Sequence, residues 1–147
     1  MRLATDDDAQ LIADWTDDPQ VHRWWGGRAI AVDEVRAKYT GRRAPKVISY
    51  VICEQEDPVG YVQAWQRHDR CGLDMFIASH AQGRGVGSVA ARALSEELTG
   101  AGWEPLTVDP ALDNSAAIKA WRSAGFVETG EPVDDDGVLV QLMTFVP

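Results

Sequence analysis

The chain has 147 residues, 45% hydrophobic and 25% charged, a balance that builds one domain around one core and excludes a mainly disordered chain. A chain of this length buries roughly 68–70% of its unfolded surface, so it needs neither disulfide nor metal to hold together. Its formal charge is −9, from 14 Lys and Arg against 23 Asp and Glu; this argues against nucleic acid or an anionic membrane as the main partner and favours a cationic one.

The N-terminus, Met1 to Asp8, carries no apolar export segment, and no stretch approaches the roughly 18 apolar residues of a membrane span. The expectation is a single soluble, cytoplasmic domain over residues 1–147. Cys53 and Cys71 lie in or beside strand-like runs and read as buried, reduced thiols. His22, His68 and His80 lack ligand spacing, so no metal site is inferred.

In chain order, Arg2-Leu3-Ala4 predicts a short strand. Thr5 or Asp6 then caps a helix that buries Ala9, Leu11, Ile12 and Trp15 and ends at Asp17-Asp18-Pro19. Trp24-Trp25-Gly26-Gly27 leads to a second helix near Asp33 to Tyr39, and Arg42-Arg43 with Pro45 mark a loop. Val47–Glu54 and Val59–Gln66, separated by Glu56-Asp57-Pro58, predict an antiparallel hairpin, with a further strand over Gly72–Ala78.

From Gly85 onward, Val86, Val89, Ala90, Ala93, Leu94 and Leu98 recur with helical spacing and predict one buried stripe, closed by Gly100 and Gly102. Glu104–Val108 reads as the next strand. Asn114 caps a helix running to about Ala124, where Gly125 reverses the chain and Phe126 re-enters the core. Val127–Glu131 and Val138–Phe145 flank Asp134-Asp135-Asp136-Gly137, whose Asp-Gly pair signals a hairpin. The sum is an α/β (α+β) chain with a mixed, mostly antiparallel sheet of about seven strands and about four helices on its faces.

Gln82-Gly83-Arg84-Gly85-Val86-Gly87 lies between a predicted strand and the longest predicted helix. Its glycines let backbone approach a ligand, and unpaired N–H groups at a helix N-terminus attract anions. Residues 79–95 contain Arg84 and Arg92 and no acid. The same glycines also suit a tight strand-to-helix turn, and the loop alone does not separate the two readings. The dinucleotide fingerprint fails because Ser88 stands where it needs glycine, and the P-loop fails because no Lys lies between Lys46 and Lys119.

On these residues the chain resembles the GNAT superfamily of N-acetyltransferases over essentially its whole length. Gln82, Gly85 and Gly87 match the superfamily's Gln/Arg-x-x-Gly-x-Gly/Ala loop, which in that family holds the pyrophosphate of acetyl-CoA. Asn114, Ala117, Gly125 and Phe126 match the second motif, Asn-x-x-Ala-x-x-x-Tyr-x-x-x-Gly-Phe. Within the superfamily the chain is similar to aminoglycoside 6′-N-acetyltransferases through Trp24-Trp25-Gly26-Gly27, Tyr39, Gly60-Tyr61-Val62-Gln63, Gly72-Leu73-Asp74 and Asp109-Pro110.

The resemblance implies the GNAT fold, acetyl-CoA as co-substrate without a metal, and a cationic amine, an aminoglycoside, as acceptor, with antibiotic resistance as the outcome. It implies Asp74 as catalytic base or amine-orienting carboxylate. Trp24, Trp25, Tyr39, Gln63 and Asp109 fall to the substrate, and Ile77, Gln82, Gly83, Arg84, Gly85, Val86, Gly87, Asn114 and Trp121 to acetyl-CoA. Trp121 stands where the superfamily often has a Tyr acid, and an indole donates a hydrogen bond without serving as an acid. A siderophore-type lysine derivative is an alternative acceptor, and an acyl-CoA-binding regulatory module is the non-enzyme alternative. Either a monomer or a homodimer is compatible with the sequence.

The residues themselves leave choices. Asp74 is a carboxylate in an otherwise apolar strand, which reads either as a polar cavity wall or as a solvent-facing position. Asp109 before Pro110 also suits a turn cap. One of Trp24 and Trp25 is expected to plug the core and the other to face a ligand.

Overall fold

The computed structural model describes all residues from Met1 to Pro147. Its elements are β1 (Arg2–Leu3), α1 (Ala9–Asp17), α2 (Pro19–His22), α3 (Val32–Lys38), β2 (Val47–Glu54), β3 (Asp57–Arg67), β4 (Arg70–Ile77), α4 (Val86–Gly100), β5 (Leu106–Val108), α5 (Ser115–Ala124), β6 (Phe126–Glu128), β7 (Val133–Asp135), β8 (Val138–Val140) and β9 (Met143–Phe145). No helix is long and apolar enough to cross a membrane.

Seven strands form one sheet in the order β1-β2-β3-β4-β5-β9-β6, and all its neighbours are antiparallel except β4 and β5. Side chains alternate across it, so β3 feeds two cores at once. Val62 and Ala64 pack under α4 and α5 with Leu94, Leu98 and Phe126, while Tyr61 packs on the opposite face with Ile12, Trp15, Val35 and Phe76. Three layers, helix on sheet on helix, result.

Several boundaries differ from the sequence reading. Asp18 and Pro19 end α1 but also begin α2, with Pro19 in its first turn and the Asp18 carboxylate accepting from Gln20 N–H at 2.9 Å. Ahead of α1, residues Asp6–Asp8 form a 3₁₀ turn in which the Asp8 carboxylate accepts from Thr5 N–H at 2.9 Å and from the Arg2 guanidinium at 2.7 and 2.8 Å. The predicted strand from Glu104 shrinks to Leu106–Val108, since Pro105 has no N–H to pair.

The buried stripe of α4 is also rotated from the expected one. Val89 is 73% exposed and Ala93 is exposed, whereas Ala91 and Ser95 join Ala90, Leu94 and Leu98 in the interior. Small residues on that face let α4 seat closely on the sheet and against α5. The expected strand from Val138 to Phe145 is divided. Gln141 N–H donates to the Pro110 carbonyl at 3.0 Å, turning the chain so that β8 pairs β7 as a separate ribbon while β9 returns to the main sheet. Asp136 and Gly137 close that ribbon with φ of 49° and 86°, the geometry expected of the Asp-Gly turn.

Candidate active site

β4 and β5 pair only at Cys71↔Leu106 and Gly72↔Thr107, then part. Beyond Gly72 the β5-facing edge of β4 has no partner strand. Ala78 N–H donates to Val59 O at 2.8 Å, and hydrogen bonding alternates along a strand, so the Ile77 N–H points toward that open edge. A cavity of about 480 Å³ occupies the gap, lined by Leu73, Asp74 and Met75 from β4 and by Val108, Asp109 and Pro110 from the end of β5. Trp24, Trp25, Tyr39, Gln63, Asn114 and Trp121 complete much of the remaining wall.

Asp74 lies directly opposite Gln63 in the β3–β4 register, and Gln63 Nε2 donates to Asp74 Oδ2 at 2.8 Å. Removal from water raises the Asp74 pKa above the usual carboxylate value, and the negative charge of Asp109 adds to this; the Gln63 hydrogen bond opposes both. Such a carboxylate accepts a proton more readily than a solvated one.

The two tryptophans both line the cavity but differ in packing. Trp25 packs edge-on against Phe76 and Tyr61, with ring centroids at 5.0 and 5.8 Å, and lies 6.0 Å from Tyr39. Trp24 is 40% exposed and carries the Arg23 guanidinium over its ring at 4.6 Å. Its near face is therefore already occupied by a cation of the protein itself.

The glycine loop lies beside this cavity and contributes none of its wall. Gly83 and Gly85 have φ of 78° and 77°, and a side chain at either would meet nothing within 4 Å. No backbone N–H from Gly83 to Ser88 donates to a backbone carbonyl. These free donors at the start of the 15-residue α4 form an anion cradle. Gly87 joins the cradle to the cavity, because a Cβ there would stand 3.2 Å from Met75 Cε and from Ile77 Cγ1.

The positive charge expected around this loop is largely spent. Arg84 pairs with Glu54 at 2.9 Å and Arg92 with Glu96 at 2.9 Å. Gln82 turns its amide back, Nε2 donating to Ile77 O at 2.8 Å. The attraction for an anion thus rests on backbone dipoles. Asn114 caps α5, its carbonyl accepting from Ala117 N–H at 3.1 Å, and Trp121 is buried edge-on against Phe126 at 5.2 Å.

The sequence reading missed a charged group on the cavity wall. Glu34 on α3 accepts from Lys38 at 3.0 Å, one helical turn on, and from Arg28 at 2.9 and 3.0 Å, and all three line the cavity. Those two cations hold the Glu34 pKa down to about 2. The Glu34-to-Lys38 spacing of four residues was the available signal. A second cavity of about 780 Å³ was also missed. It shares Asp74 and Asp109 with the first and adds Glu131, Asp134 and Asp135 from the β7 side, facing Arg67 and Arg70.

The chain has relatives in sequence and in fold among known proteins. The chain is 26% identical, across 97% of its length and 81% of theirs, to aminoglycoside N(6′)-acetyltransferases type 1 of Klebsiella pneumoniae and Serratia marcescens. Its fold superposes with a TM-score of 0.87, at 25% identity and over 98% of this chain and 90% of the other, on AAC(6′)-Ib in complex with ribostamycin and coenzyme A. The fold alone is shared with a spermidine N-acetyltransferase from Vibrio cholerae, at a TM-score of 0.79 and 20% identity over 98% of this chain and 92% of that one. Residues 4–133 match the acetyltransferase (GNAT) domain model. With its parted strands and glycine-opened helix, the chain belongs to the GNAT acetyltransferase family.

Proposed function

We propose that this protein transfers the acetyl group of acetyl-CoA to a primary amine of an aminoglycoside, the 6′-amino group, and so confers resistance to the antibiotic. The observation that carries this reading is the shared wall. Asp74 and Asp109 border both the cavity beside the glycine loop and the acidic cavity beyond it. A reactive amine at the first therefore leaves the remaining ammonium groups of a polycation beside Glu131, Asp134 and Asp135.

The loop fits acetyl-CoA. Free N–H groups from Gly83 to Ser88 suit a pyrophosphate, and the open space over Gly83 and Gly85 admits it. Bound there, acetyl-CoA supplies an activated thioester carbonyl. The exposed Ile77 N–H polarises that carbonyl oxygen. Asp74 takes the proton of the substrate ammonium, freeing its lone pair to form the C–N bond as the C–S bond breaks, and the second proton, shed from the nitrogen as the amide forms, passes through water to the departing thiolate. Trp121, which lines the cavity, has an indole that donates a hydrogen bond without serving as an acid, so water is the carrier of the proton to the thiolate.

Charge decides between acceptors. Micromolar binding requires about 8 kcal/mol and charge-assisted hydrogen bonds contribute roughly 1.5–3 kcal/mol each, so three or four carboxylate contacts suffice before ordering costs. A polycation draws on all of them, and a monoamine on one or two. The test is a thiol-release assay against kanamycin-like aminoglycosides and simple amines at two ionic strengths. The expected result is turnover on the aminoglycosides with a KM that rises with salt. Turnover confined to monoamines, or a KM indifferent to salt, overturns the aminoglycoside assignment.

A further inference from the structure

Four polar groups in the sheet form one continuous row that leads from the interior to Asp74. The alternation of β3 places Tyr61 and Gln63 on the same face, and its neighbours bring Ser49 of β2 and Asp74 of β4 to either side of Gln63. Ser49 Oγ lies 2.8 Å from Tyr61 Oη, Tyr61 Oη donates to Gln63 Oε1 at 3.0 Å, and Gln63 Nε2 donates to Asp74 Oδ2 at 2.8 Å. Ser49 and Tyr61 are fully buried, and Tyr61 makes no other side-chain hydrogen bond.

A glutamine amide has two faces, a donor and an acceptor, and either can be turned toward a carboxylate. Facing an ionised Asp74, only the NH₂ is favourable. A hydroxyl that must donate to Gln63 Oε1 selects that orientation before any substrate arrives. Burial raises the Tyr61 pKa, so its hydroxyl keeps its proton at working pH and remains a donor. The ring is immobilised by a stacked contact with Phe76 at 5.6 Å and edge contacts with Tyr39 at 5.5 Å and Trp25 at 5.8 Å.

We propose that Tyr61 is a positioning residue, whose buried hydroxyl, backed by Ser49, locks the Gln63 amide with its donor on Asp74 Oδ2 and so reserves Asp74 Oδ1 for the incoming amine. This rests on the reading of Asp74 as the proton acceptor. The lock holds the Asp74 carboxylate in one plane and tempers its rise in pKa. Besides Gln63, the Trp65 indole and two charged groups, Asp109 and Arg67, bear on Asp74 most closely. Arg28, Glu34, Lys38 and Tyr39 line the far side of its cavity, and Arg70, Glu131, Asp134 and Asp135 the neighbouring one. All are retained when the Tyr61 hydroxyl alone is removed.

Tyr61→Phe keeps the ring and deletes the donor, and Ser49→Ala deletes the group behind it. The Asp74 titration is followed by NMR on protein labelled with ¹³C at aspartate carboxyls, its signal identified by its loss in Asp74→Asn. The Asp74 midpoint is expected to move upward in Tyr61→Phe and, by less, in Ser49→Ala. The kcat/KM for the amine is expected to fall roughly tenfold in Tyr61→Phe, with acetyl-CoA affinity unchanged and the acidic limb of the rate profile displaced in the same direction. If Tyr61→Phe does not fold, Ser49→Ala carries the same readout. A midpoint that stays at the parent value in the folded variants overturns the lock, whatever the protein acetylates. A displaced midpoint in a protein that acetylates no amine upholds the lock and removes the proposed function instead.

Discussion

Asp109, the first residue past β5, bears electrostatically on Asp74 of β4 across the gap where the two strands part, and its negative charge raises the Asp74 pKa. Each carboxylate also borders both cavities, so one pair of like charges links proton transfer to recognition of a cation.

Asp109→Asn removes the charge and keeps the shape. With its like-charged neighbour gone, Asp74 ionises at lower pH, and the acidic limb of the kcat/KM profile is expected to move toward lower pH. The KM for a polycationic acceptor is expected to rise. A pH–rate series on parent and variant reads both, and a limb moving upward contradicts the coupling.

Asp74→Asn tests the cost of holding this carboxylate away from water. A carboxyl whose folded pKa is raised contributes stability below its unfolded pKa, and that contribution is lost as pH rises through the folded value. At neutral pH the ionised group is therefore a burden. The amide variant is expected to melt higher, by roughly 2–4 °C for each kcal/mol relieved, and to turn over at least 100-fold more slowly (~10²–10⁴-fold for loss of a general base). Calorimetry near pH 7 beside a thiol-release assay checks the pair of effects, and faster melting with intact turnover contradicts both.

Glu34→Gln leaves Arg28 and Lys38 without their shared partner on the cavity wall. Because the Glu34 pKa is held near 2, this neutralisation operates across the whole working pH range in the parent. The variant is expected to show a several-fold higher KM for a cationic amine, with acetyl-CoA affinity unchanged and the KM difference shrinking at high salt. Steady-state kinetics at two ionic strengths measures it.

Gly85→Ala puts a side chain on backbone at φ of 77°, and Gly87→Ala drives a Cβ toward Met75 and Ile77. The first costs about 1–2 kcal/mol of strain, and the second makes the Met75 and Ile77 side chains give way between cradle and cavity. Both are expected to weaken acetyl-CoA binding roughly tenfold in titration calorimetry. Arg84→Ala is expected to do much less, since Arg84 is paired with Glu54.

Patterns local in the chain were readable in advance. The Asp136-Gly137 turn, the Asn114 cap and the antiparallel pairing of β2 with β3 depend on residues close in the chain and are present as expected, although β3 begins at Asp57, inside the expected Glu56-Asp57-Pro58 turn. The face of α4 was misread because Val89 and Ala93 fit the helical period as well as Ala91 and Ser95 do, and only the approach of α5 chooses between them. Asp74 was visible as a charge in an apolar strand. Its link to Gln63, and through Gln63 to Tyr61 and Ser49, was hidden because it depends on strand register, and Glu34 reaches the same cavity wall only through the packing of α3. The basic character of residues 79–95 stands, but it is offset from outside the segment, since Glu54, which pairs Arg84, lies 30 residues upstream.

Thiol release from acetyl-CoA in the presence of a kanamycin-type aminoglycoside, with the acetylated position mapped on the product, decides whether the glycine loop and the paired carboxylates form one catalytic site. The expected result is one thiol per acetyl group, attached at the 6′ nitrogen, and near-total loss of release in Asp74→Asn. Thermal stabilisation by coenzyme A with no release on any aminoglycoside or simple amine contradicts it and leaves an acyl-CoA-binding module in which Trp121 has replaced the acid.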